Sequence, residues 1–335
     1  MDIKIIEEVD KQKMYKVYDK WPEIAKNSFE LQRDSESFEN IEDIVFGGMG
    51  GSGAIGDMFG SILSKTKIHV NVIKGYVLPE TVNLNTLVVI TSVSGNTSET
   101  LSLLKSAKKI GSKIIAFSSG GKIQEYCVKN NIKFILVPKH HSPRATFPSF
   151  LYTMLKVLYQ TLKIKKESII TSIEELEIVQ KKISSSNLTE NNTSLNLAKS
   201  IKSIPIIYYP HGLQSASIRF KNSLQENTKM HAASEDVIEA SHNGVVSWEK
   251  KSDVMPILIR GSEDHIKTKE RFEILKKFFM ENKIKYEEIV SIEGSILSKL
   301  ITLIYLLDYA TIYKAIMDNT DPTPVNPINF IKNKL

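Results

Sequence analysis

Two stretches rich in glycine and hydroxyl side chains have the composition of phosphate-binding turns. Residues 47–53 and residues 91–97 each follow an apolar run and precede a helical pattern. Glycine lets the backbone approach a ligand closely, and the N–H groups that begin a helix attract an anion. Hydroxyl groups in the same turns can donate to that anion. The candidate phosphate-binding residues are Gly50, Gly51, Ser52, Ser92, Ser94 and Thr97.

Neither stretch matches a nucleotide-binding motif completely. Residues 48–53 have the glycine spacing of the dinucleotide fingerprint, which also needs an acidic residue about 20 positions later. The next apolar run, residues 68–73, contains no acidic residue, and Ser52 is not preceded by the lysine of a Walker loop. Two ordinary interpretations remain open: a βα turn without a ligand, and Ser, Thr and Asn serving as helix caps.

Composition limits the class of protein. The 335 residues are 41% hydrophobic and 24% charged, with a net charge of +6 and a pI of about 9.0. The lysines are scattered, which favours a solvated surface over nucleic-acid binding, although the positive field would attract an anionic substrate. A single cysteine excludes an internal disulfide and a cysteine-rich metal site. Because no apolar run approaches 18 residues and the first residues do not resemble a signal peptide, we expect a cytoplasmic protein that does not bind membranes.

Apolar runs alternate with helical patterns along the chain, which predicts an α/β fold. We expect two domains, each with a parallel sheet flanked by helices in a doubly wound arrangement. The first domain would cover residues 1–162 and include a helical N-terminal extension. Residues 163–200 would form a linker helix and a polar linker, and residues 201–335 a second domain with a C-terminal tail. Strand-like runs lie at residues 44–46, 68–73, 87–92, 113–117, 133–137, 204–209, 254–260 and 286–292.

Six ordered motifs together resemble the sugar isomerase (SIS) domain family, and more narrowly its archaeal-type bifunctional phosphoglucose/phosphomannose isomerases. The resemblance extends over almost the whole chain beyond residue 40 and implies two SIS-type domains. It also implies a sugar-phosphate substrate, no metal or cofactor, and a homodimer. The motifs are residues 48–53, 92–97, 141–145, 225–229, 239–243 and 321–325.

The resemblance implies a role for each site residue. The six phosphate-binding candidates would hold the sugar phosphate, and Arg144 would lie over the C1–C2 edge of the sugar. Glu226 would be the catalytic base, while His242 and Lys332 would open and close the ring. The histidine would reach the site from the partner subunit. In this family the position of Asn326 can carry a threonine that helps a water molecule reach mannose 6-phosphate, so Asn326 bears on substrate specificity.

The chemistry of aldose–ketose isomerisation requires these residue types. One carboxylate can move a proton between C2 and C1 through a cis-enediolate, acting first as base and then as acid. The enediolate carries negative charge, so an arginine beside it stabilises the transition state more than the substrate. Ring opening moves a proton from O1 to O5, which a histidine can carry near neutral pH.

The sequence alone also allows ordinary structural roles for these residues and other functions for the protein. Glu226 alone would be a surface glutamate, His242 a turn residue, and Lys332 a solvated lysine of the tail. His140 and His141 suggest a metal pair, but adjacent residues of a strand face opposite ways, so a loop role is favoured. Other candidate functions are a different phosphosugar or aminosugar-phosphate isomerase and a non-catalytic phosphosugar-binding regulatory module.

Overall fold

The chain forms two compact units. The structure, a computed structural model, describes residues 1–332 and residue 334. One unit is Lys20–Glu174, which we call the central unit. The other combines Met1–Asp19 with the residues from Glu175 onward, and we call it the composite unit.

The central unit contains a five-stranded sheet whose strands are all parallel, in the order β2-β1-β3-β4-β5. The middle strand, β3, is buried at all seven of its residues, because helices cover both faces of a parallel sheet. Each strand falls on an apolar run that the sequence predicts. The strands are β1 (Asp43–Gly47), β2 (His69–Ile73), β3 (Thr86–Ser92), β4 (Lys113–Ser118) and β5 (Lys133–Leu136).

Helices connect these strands. The first crossover helix begins at Gly50, four residues before the predicted start, so the glycine turn itself forms its first turn. A core beneath the sheet includes the single cysteine, Cys127, and burial raises the pKa of its thiol to about 11. The helices are α3 (Trp21–Glu30), α4 (Gly50–Leu63), α5 (Ser98–Ile110), α6 (Gly121–Lys129) and α7 (Phe147–Leu158).

The order of the strands identifies a topological switch point between β1 and β3. The chain runs from β1 outward to β2, returns to β3 on the other side of β1, and continues to β4 and β5. In open α/β sheets the ligand crevice lies outside the carboxyl ends of the two strands at such a point. The two turns identified in the sequence directly follow these two strands.

The composite unit contains a second parallel sheet, in the order β7-β6-β8-β9. Three of its strands are predicted from the sequence. The fourth, β7, occupies a short polar stretch that is not among the predicted strand-like runs. Two sheets of parallel strands flanked by helices confirm the α/β class. The strands are β6 (Ile204–Tyr209), β7 (Ala233–Asp236), β8 (Val254–Arg260) and β9 (Glu287–Val290).

A 22-residue helix forms the core of the composite unit. It is the one helix among the described residues that is long and apolar enough to cross a membrane, but 89% of its most apolar window is buried inside the protein, as in a core helix. The helices of this unit are α1 (Ile3–Val9), α2 (Met14–Asp19), α9 (Thr193–Ser200), α10 (Gln214–Ser223), α11 (Val237–Ala240), α12 (Ile266–Glu281), the core helix α13 (Ile296–Met317) and α14 (Asn326–Lys332). The helix α8 (Lys166–Ile183) crosses the boundary between the two units.

The N-terminal helices and the polar stretch before α9 both bond to α13. Tyr305 donates to the Tyr18 carbonyl at 2.6 Å, and Tyr309 donates to Asp19 at 2.7 Å. Asn192, which is fully buried, donates to the Tyr313 hydroxyl at 3.2 Å. Each of these buried or half-buried polar groups has a hydrogen-bond partner, as buried polar groups in proteins generally do.

Candidate functional site

The two glycine- and hydroxyl-rich turns meet at the carboxyl edge of the central unit's sheet. The backbone N–H of Val93 donates to Oγ of Ser52 at 3.3 Å, so a hydrogen bond joins the first turn to the second. Gly48 lies against the neighbouring strand so closely that a Cβ at this position would be 3.0 Å from the Thr91 carbonyl oxygen. Glycine at position 48 therefore permits close packing of the backbone against Thr91 and Ser52, while the predicted approach of a ligand stays a prediction.

Hydroxyl groups inside the second turn bond to one another and to the backbone. Oγ of Ser92 is 3.1 Å from Oγ1 of Thr97 and accepts from the N–H of Gly95 at 3.1 Å. Ser94 is exposed and accepts from the N–H of Asn96 at 3.3 Å. The turn is thus a preformed cluster of three hydroxyl groups at the start of α5.

Gly95 allows the second turn to pack against the start of α6. Its φ is +69°, and a Cβ here would be 1.7 Å from the Gly120 carbonyl oxygen. The Gly95 carbonyl accepts from the N–H of Ile123 at 3.0 Å, and the Asn96 side chain accepts from the N–H of Lys122 at 3.1 Å. Any side chain at position 95 would push the turn away from α6.

Both turns leave the first N–H groups of their helices without the usual side-chain cap. Met49 is the N-cap of α4 and Thr97 the N-cap of α5, and in the described part of the chain neither side chain bonds to its helix. Free N–H groups at a helix start, with the helix dipole behind them, bind anions. Simple capping therefore does not explain the hydroxyl of Thr97.

Arg144 lies beside the first turn. A Cβ at Gly51 would be 3.5 Å from the Pro143 carbonyl oxygen and 3.8 Å from Cα of Arg144. Thr146 fixes this segment, because its hydroxyl donates to the Ser142 carbonyl at 2.8 Å and accepts from the N–H of His140 at 2.9 Å. Arg144 is 4% exposed, so its side chain is buried, and its backbone lies next to Gly51.

His140 and His141 lie in the loop between β5 and α7, which agrees with the loop role favoured from the sequence. His141 has a φ of +56°, a conformation that does not occur in strands. Burial lowers the pKa of His140. Among the residues that the structure describes, no group of three or more His, Cys, Asp or Glu side chains has the arrangement of a metal site.

Glu226 is carried by a single π-helical turn. This π-turn, Leu224–Thr228, continues α10 and ends at Lys229, which has a φ of +62°. Single π-turns are rare and occur frequently at functional sites. Glu226 is half-buried, whereas its neighbours Asn227 and Thr228 are buried.

Lys229 holds the end of the π-turn, a role that the sequence analysis missed. Its Nζ donates to the carbonyl of Glu226 at 2.6 Å and to the carbonyl of Asn227 at 3.4 Å. It also donates at 3.4 Å to the carbonyl of Pro322, in the loop before α14. The sequence contains a signal for this role, because Lys229 follows Glu226 by three residues and a cation at a helix end can bond to the last carbonyl groups of that helix.

His242 lies beyond the opposite end of the strand that follows Glu226. The parallel pairing of β6 and β7 requires α10 to return to the amino edge of the sheet, where the π-turn leads into β7. His242 comes after α11, which begins at the carboxyl end of β7. It is exposed, and its backbone N–H donates to the Glu239 carbonyl at 2.9 Å. The four residues of β7 alone separate the two ends by roughly 13 Å.

Asn326 and Lys332 begin and end the short helix α14, and both are exposed. The preceding loop is ordered by Asp321, whose carboxylate accepts from the N–H of Thr323 at 2.9 Å. The contact between Lys229 and Pro322 connects this loop to the π-turn of Glu226. The central unit therefore gathers its site residues around one pair of turns, whereas the composite unit carries Glu226, His242 and the two α14 residues on three separate elements.

Comparisons with known proteins match both halves of the chain. The family model of the SIS domain matches residues 37–162, and that of the bacterial phospho-glucose isomerase C-terminal SIS domain matches residues 190–335. Together the two models cover both sheets.

Two of the curated relatives described here are similar along nearly their whole length, and a third along about three quarters of it. The bifunctional phosphoglucose/phosphomannose isomerase of Caldicellulosiruptor bescii is 33% identical over 328 residues, covering 94% of this chain and 96% of the relative. The enzyme of the same name from Aquifex aeolicus is 29% identical, with 92% and 95% covered. The D-glucosamine-6-phosphate 4-epimerase of Sulfolobus acidocaldarius is 28% identical, with 73% and 77% covered.

Solved structures share the fold. A hypothetical protein from Thermus thermophilus matches with a TM-score of 0.71 at 13% identity, covering 98% of this chain and 88% of that one. The C-terminal domain of a glucosamine-fructose-6-phosphate aminotransferase from Francisella tularensis matches with a TM-score of 0.69 at 16% identity, with 93% and 98% covered. At these identities the similarity concerns the fold alone.

Proposed function

Because the chain belongs to the family of bifunctional phosphoglucose/phosphomannose isomerases, we propose that it interconverts glucose 6-phosphate and mannose 6-phosphate with fructose 6-phosphate. The observation that carries the proposal is the pair of turns at the switch point of the central unit. One hydrogen bond joins them, and uncapped helix starts and hydroxyl groups converge there. This arrangement suits a dianionic phosphate.

The phosphate would be held by the six residues predicted from the sequence. Ser52, Ser92 and Thr97 are fixed by the bonds between and within the two turns, so their hydroxyl groups are already positioned for an anion. Binding energy from the phosphate, which does not react, would fix the sugar relative to the catalytic groups. Ser94 would donate from the exposed side, and Gly50 and Gly51 would offer backbone N–H groups.

Glu226 would move the proton between C2 and C1 of the sugar. A carboxylate that removes the proton from C2 is left as the acid that returns it to C1, so one residue completes the transfer. The cis-enediolate formed in between carries its charge on O1 and O2. Arg144, buried next to the first turn, would stabilise that charge. His242 and Lys332 would carry protons during ring opening and closing.

The enzyme would act as a homodimer in which His242 serves the partner's site. The separation of Glu226 and His242 by the length of β7 supports this, since two groups at opposite edges of one sheet do not reach the same sugar. The exposure of His242 supports it as well. In a closed dimer the exchange of histidines is reciprocal. We place the dimer in the cytoplasm, where the interconversion of hexose phosphates would feed sugar breakdown and synthesis.

An assay of the purified protein tests the function. Fructose 6-phosphate is supplied, and glucose 6-phosphate and mannose 6-phosphate are measured separately; glucosamine 6-phosphate is tested in parallel because one curated relative acts on it by name. We expect both aldose phosphates to form. Conversion of glucosamine 6-phosphate without any aldose product from fructose 6-phosphate would instead favour the aminosugar-phosphate alternative.

A further inference from the structure

A buried ion pair joins α10, the helix that leads into the Glu226 turn, to α13. Arg219 on α10 is 3% exposed, and Asp308 in the middle of α13 is 0% exposed. Nε and Nη2 of Arg219 donate to Oδ2 of Asp308 at 3.0 and 2.6 Å. Two further donors bond to the same carboxylate: Ser223 to Oδ1 at 2.7 Å and Tyr18 to Oδ2 at 3.2 Å. We call Tyr18, Arg219, Ser223 and Asp308 the Asp308 network.

The Asp308 network continues into the π-turn. Arg219, Ser223 and Asn227 are spaced by four residues, so they occupy one face of α10 and its continuation. Asn227 donates to Oγ1 of Thr311 at 2.7 Å, one turn along α13 from Asp308. The helix that ends in the Glu226 turn is therefore bonded to α13 at three successive turns, and the last bond is made by the residue next to Glu226.

Charge also connects Arg219 to Glu226. Burial is the largest single influence and disfavours the charged guanidinium, but the Asp308 carboxylate, Tyr18 and Glu226 together outweigh it, so the pKa of Arg219 is raised. A buried ion pair often contributes little net stability compared with apolar residues of the same volume, so its presence is weak evidence for a purely stabilising role. The proposed reaction assigns no step to Arg219 or Asp308.

We propose that Arg219 is a positioning residue for the proposed base: through Asp308 it holds the π-turn against α13 and so fixes where the Glu226 carboxylate lies. The expected effect on turnover rests on the proposed function. The effect on the order of the π-turn does not, because that order can be measured without substrate. The sequence contains one signal for the network, since Asp308 is the one acidic residue of a mostly apolar helix and needs a partner when it is buried there.

Three variants test the role of Arg219. Arg219→Met removes the charge and both donors, Arg219→Lys keeps the charge on a shorter and differently shaped group, and Ser223→Ala removes one donor to Asp308. Tyr313→Phe is the matched control, because it deletes two other buried hydrogen bonds of α13, the one that Tyr313 accepts from Asn192 and the one that it donates to the Ile183 carbonyl. Since an uncompensated buried carboxylate can unfold the protein, Arg219→Lys and Ser223→Ala keep the test valid if Arg219→Met does not fold.

We expect hydrogen exchange of the amides at residues 224–228 to accelerate in Arg219→Lys and Ser223→Ala and to stay at the wild-type rate in Tyr313→Phe. The kcat for fructose 6-phosphate should fall about 100-fold in Arg219→Met and less in Arg219→Lys, with KM within about twofold, because misplacing a catalytic group by about 1 Å costs roughly that factor. The Tyr313→Phe variant should keep the wild-type kcat.

Unchanged exchange at residues 224–228 in both milder variants would overturn the inference. So would faster exchange accompanied by a kcat equal to that of the control, since the network would then be structural only. If the wild-type protein does not isomerise fructose 6-phosphate, the proposed function fails, and the exchange measurement alone decides whether the network holds the turn.

Discussion

Glu226 and His242 lie at opposite ends of strand β7, with the π-turn before the strand and α11 after it. A test of subunit exchange follows from this separation. Glu226→Gln and His242→Ala homodimers should each be nearly inactive, but when they are unfolded, mixed and refolded together, activity should return. If the histidine acts in the partner's site, each heterodimer has one site with both lesions and one intact site.

Recovery should follow the fraction of heterodimers measured by native mass spectrometry. Mixing two differently tagged batches of the Glu226→Gln protein is the control and should restore nothing. Heterodimers that form and stay inactive would show that both residues serve the same subunit.

The proposed base, Glu226, should lose its catalytic effect when its charge is removed and its size is kept. In Glu226→Gln the amide cannot accept the proton from C2, so kcat should fall by about 10²–10⁴-fold while substrate affinity and folding are retained. Glu249→Gln, an exposed glutamate of the same unit, is the matched control and should keep wild-type activity. Product formed in D₂O should carry deuterium at C2. Near-normal turnover of Glu226→Gln would remove this residue from the mechanism.

The second candidate phosphate-binding turn, residues 91–97, should discriminate between phosphorylated and unphosphorylated sugars. Thr97→Ala removes a hydroxyl that lies 3.1 Å from Ser92, at the start of α5. Because a hydrogen bond to a charged group contributes about 1.5–3 kcal/mol, KM for fructose 6-phosphate should rise about 10–100-fold. Turnover of unphosphorylated fructose should be the same in Thr97→Ala as in the wild type.

Thr66→Ala provides the control for Thr97→Ala. Its hydroxyl caps the end of α4 by bonding to the Leu63 carbonyl at 2.8 Å, in the same unit but at the other end of the helix. Steady-state kinetics should show no change in KM for this variant. Equal loss with both sugars in Thr97→Ala would mean that the phosphate binds elsewhere.

Gly95 should be intolerant of any side chain. A Cβ would be 1.7 Å from the Gly120 carbonyl oxygen, and the backbone has a φ of +69°. Strain and overpacking together predict a loss of about 2–6 kcal/mol in the free energy of unfolding for Gly95→Ala. Gly75→Ala, where no atom lies within 4 Å of the added carbon, should change it by less than about 0.5 kcal/mol. Urea unfolding followed by circular dichroism measures both, and equal stability of the two variants would contradict the close packing of the turn on α6.

Asn326 should influence the ratio of the two aldose products. If a threonine at this position helps water reach the substrate, Asn326→Thr should raise mannose 6-phosphate turnover relative to glucose 6-phosphate. Asn329→Thr, three residues later on the same exposed helix, controls for the change of residue type. The initial rates of both aldose phosphates give the ratio. The same ratio in Asn326→Thr and wild type would exclude Asn326 from specificity.

The sequence by itself determined the features that depend on neighbouring residues. The strands of both sheets, except β7, fall on apolar runs, and the two candidate phosphate-binding turns are recognisable because glycine and hydroxyl residues stand directly between a strand and a helix. Each turn follows a strand of a parallel sheet, so the local pattern was enough to place both turns at the carboxyl edge. The order of the strands then makes the two turns neighbours.

The tertiary structure decided what depends on residues far apart in the chain. The stretch Ala233–Asp236 is polar and short, and it becomes a strand because it pairs with β6. Met1–Asp19 belongs with the residues from Glu175 onward because Tyr18 and Asp19 bond to α13, some 290 positions away. Arg219 and Asp308 are likewise 89 positions apart. Such pairings leave no periodic pattern in the sequence, because their energy arises only when burial removes both partners from water and each must satisfy the other.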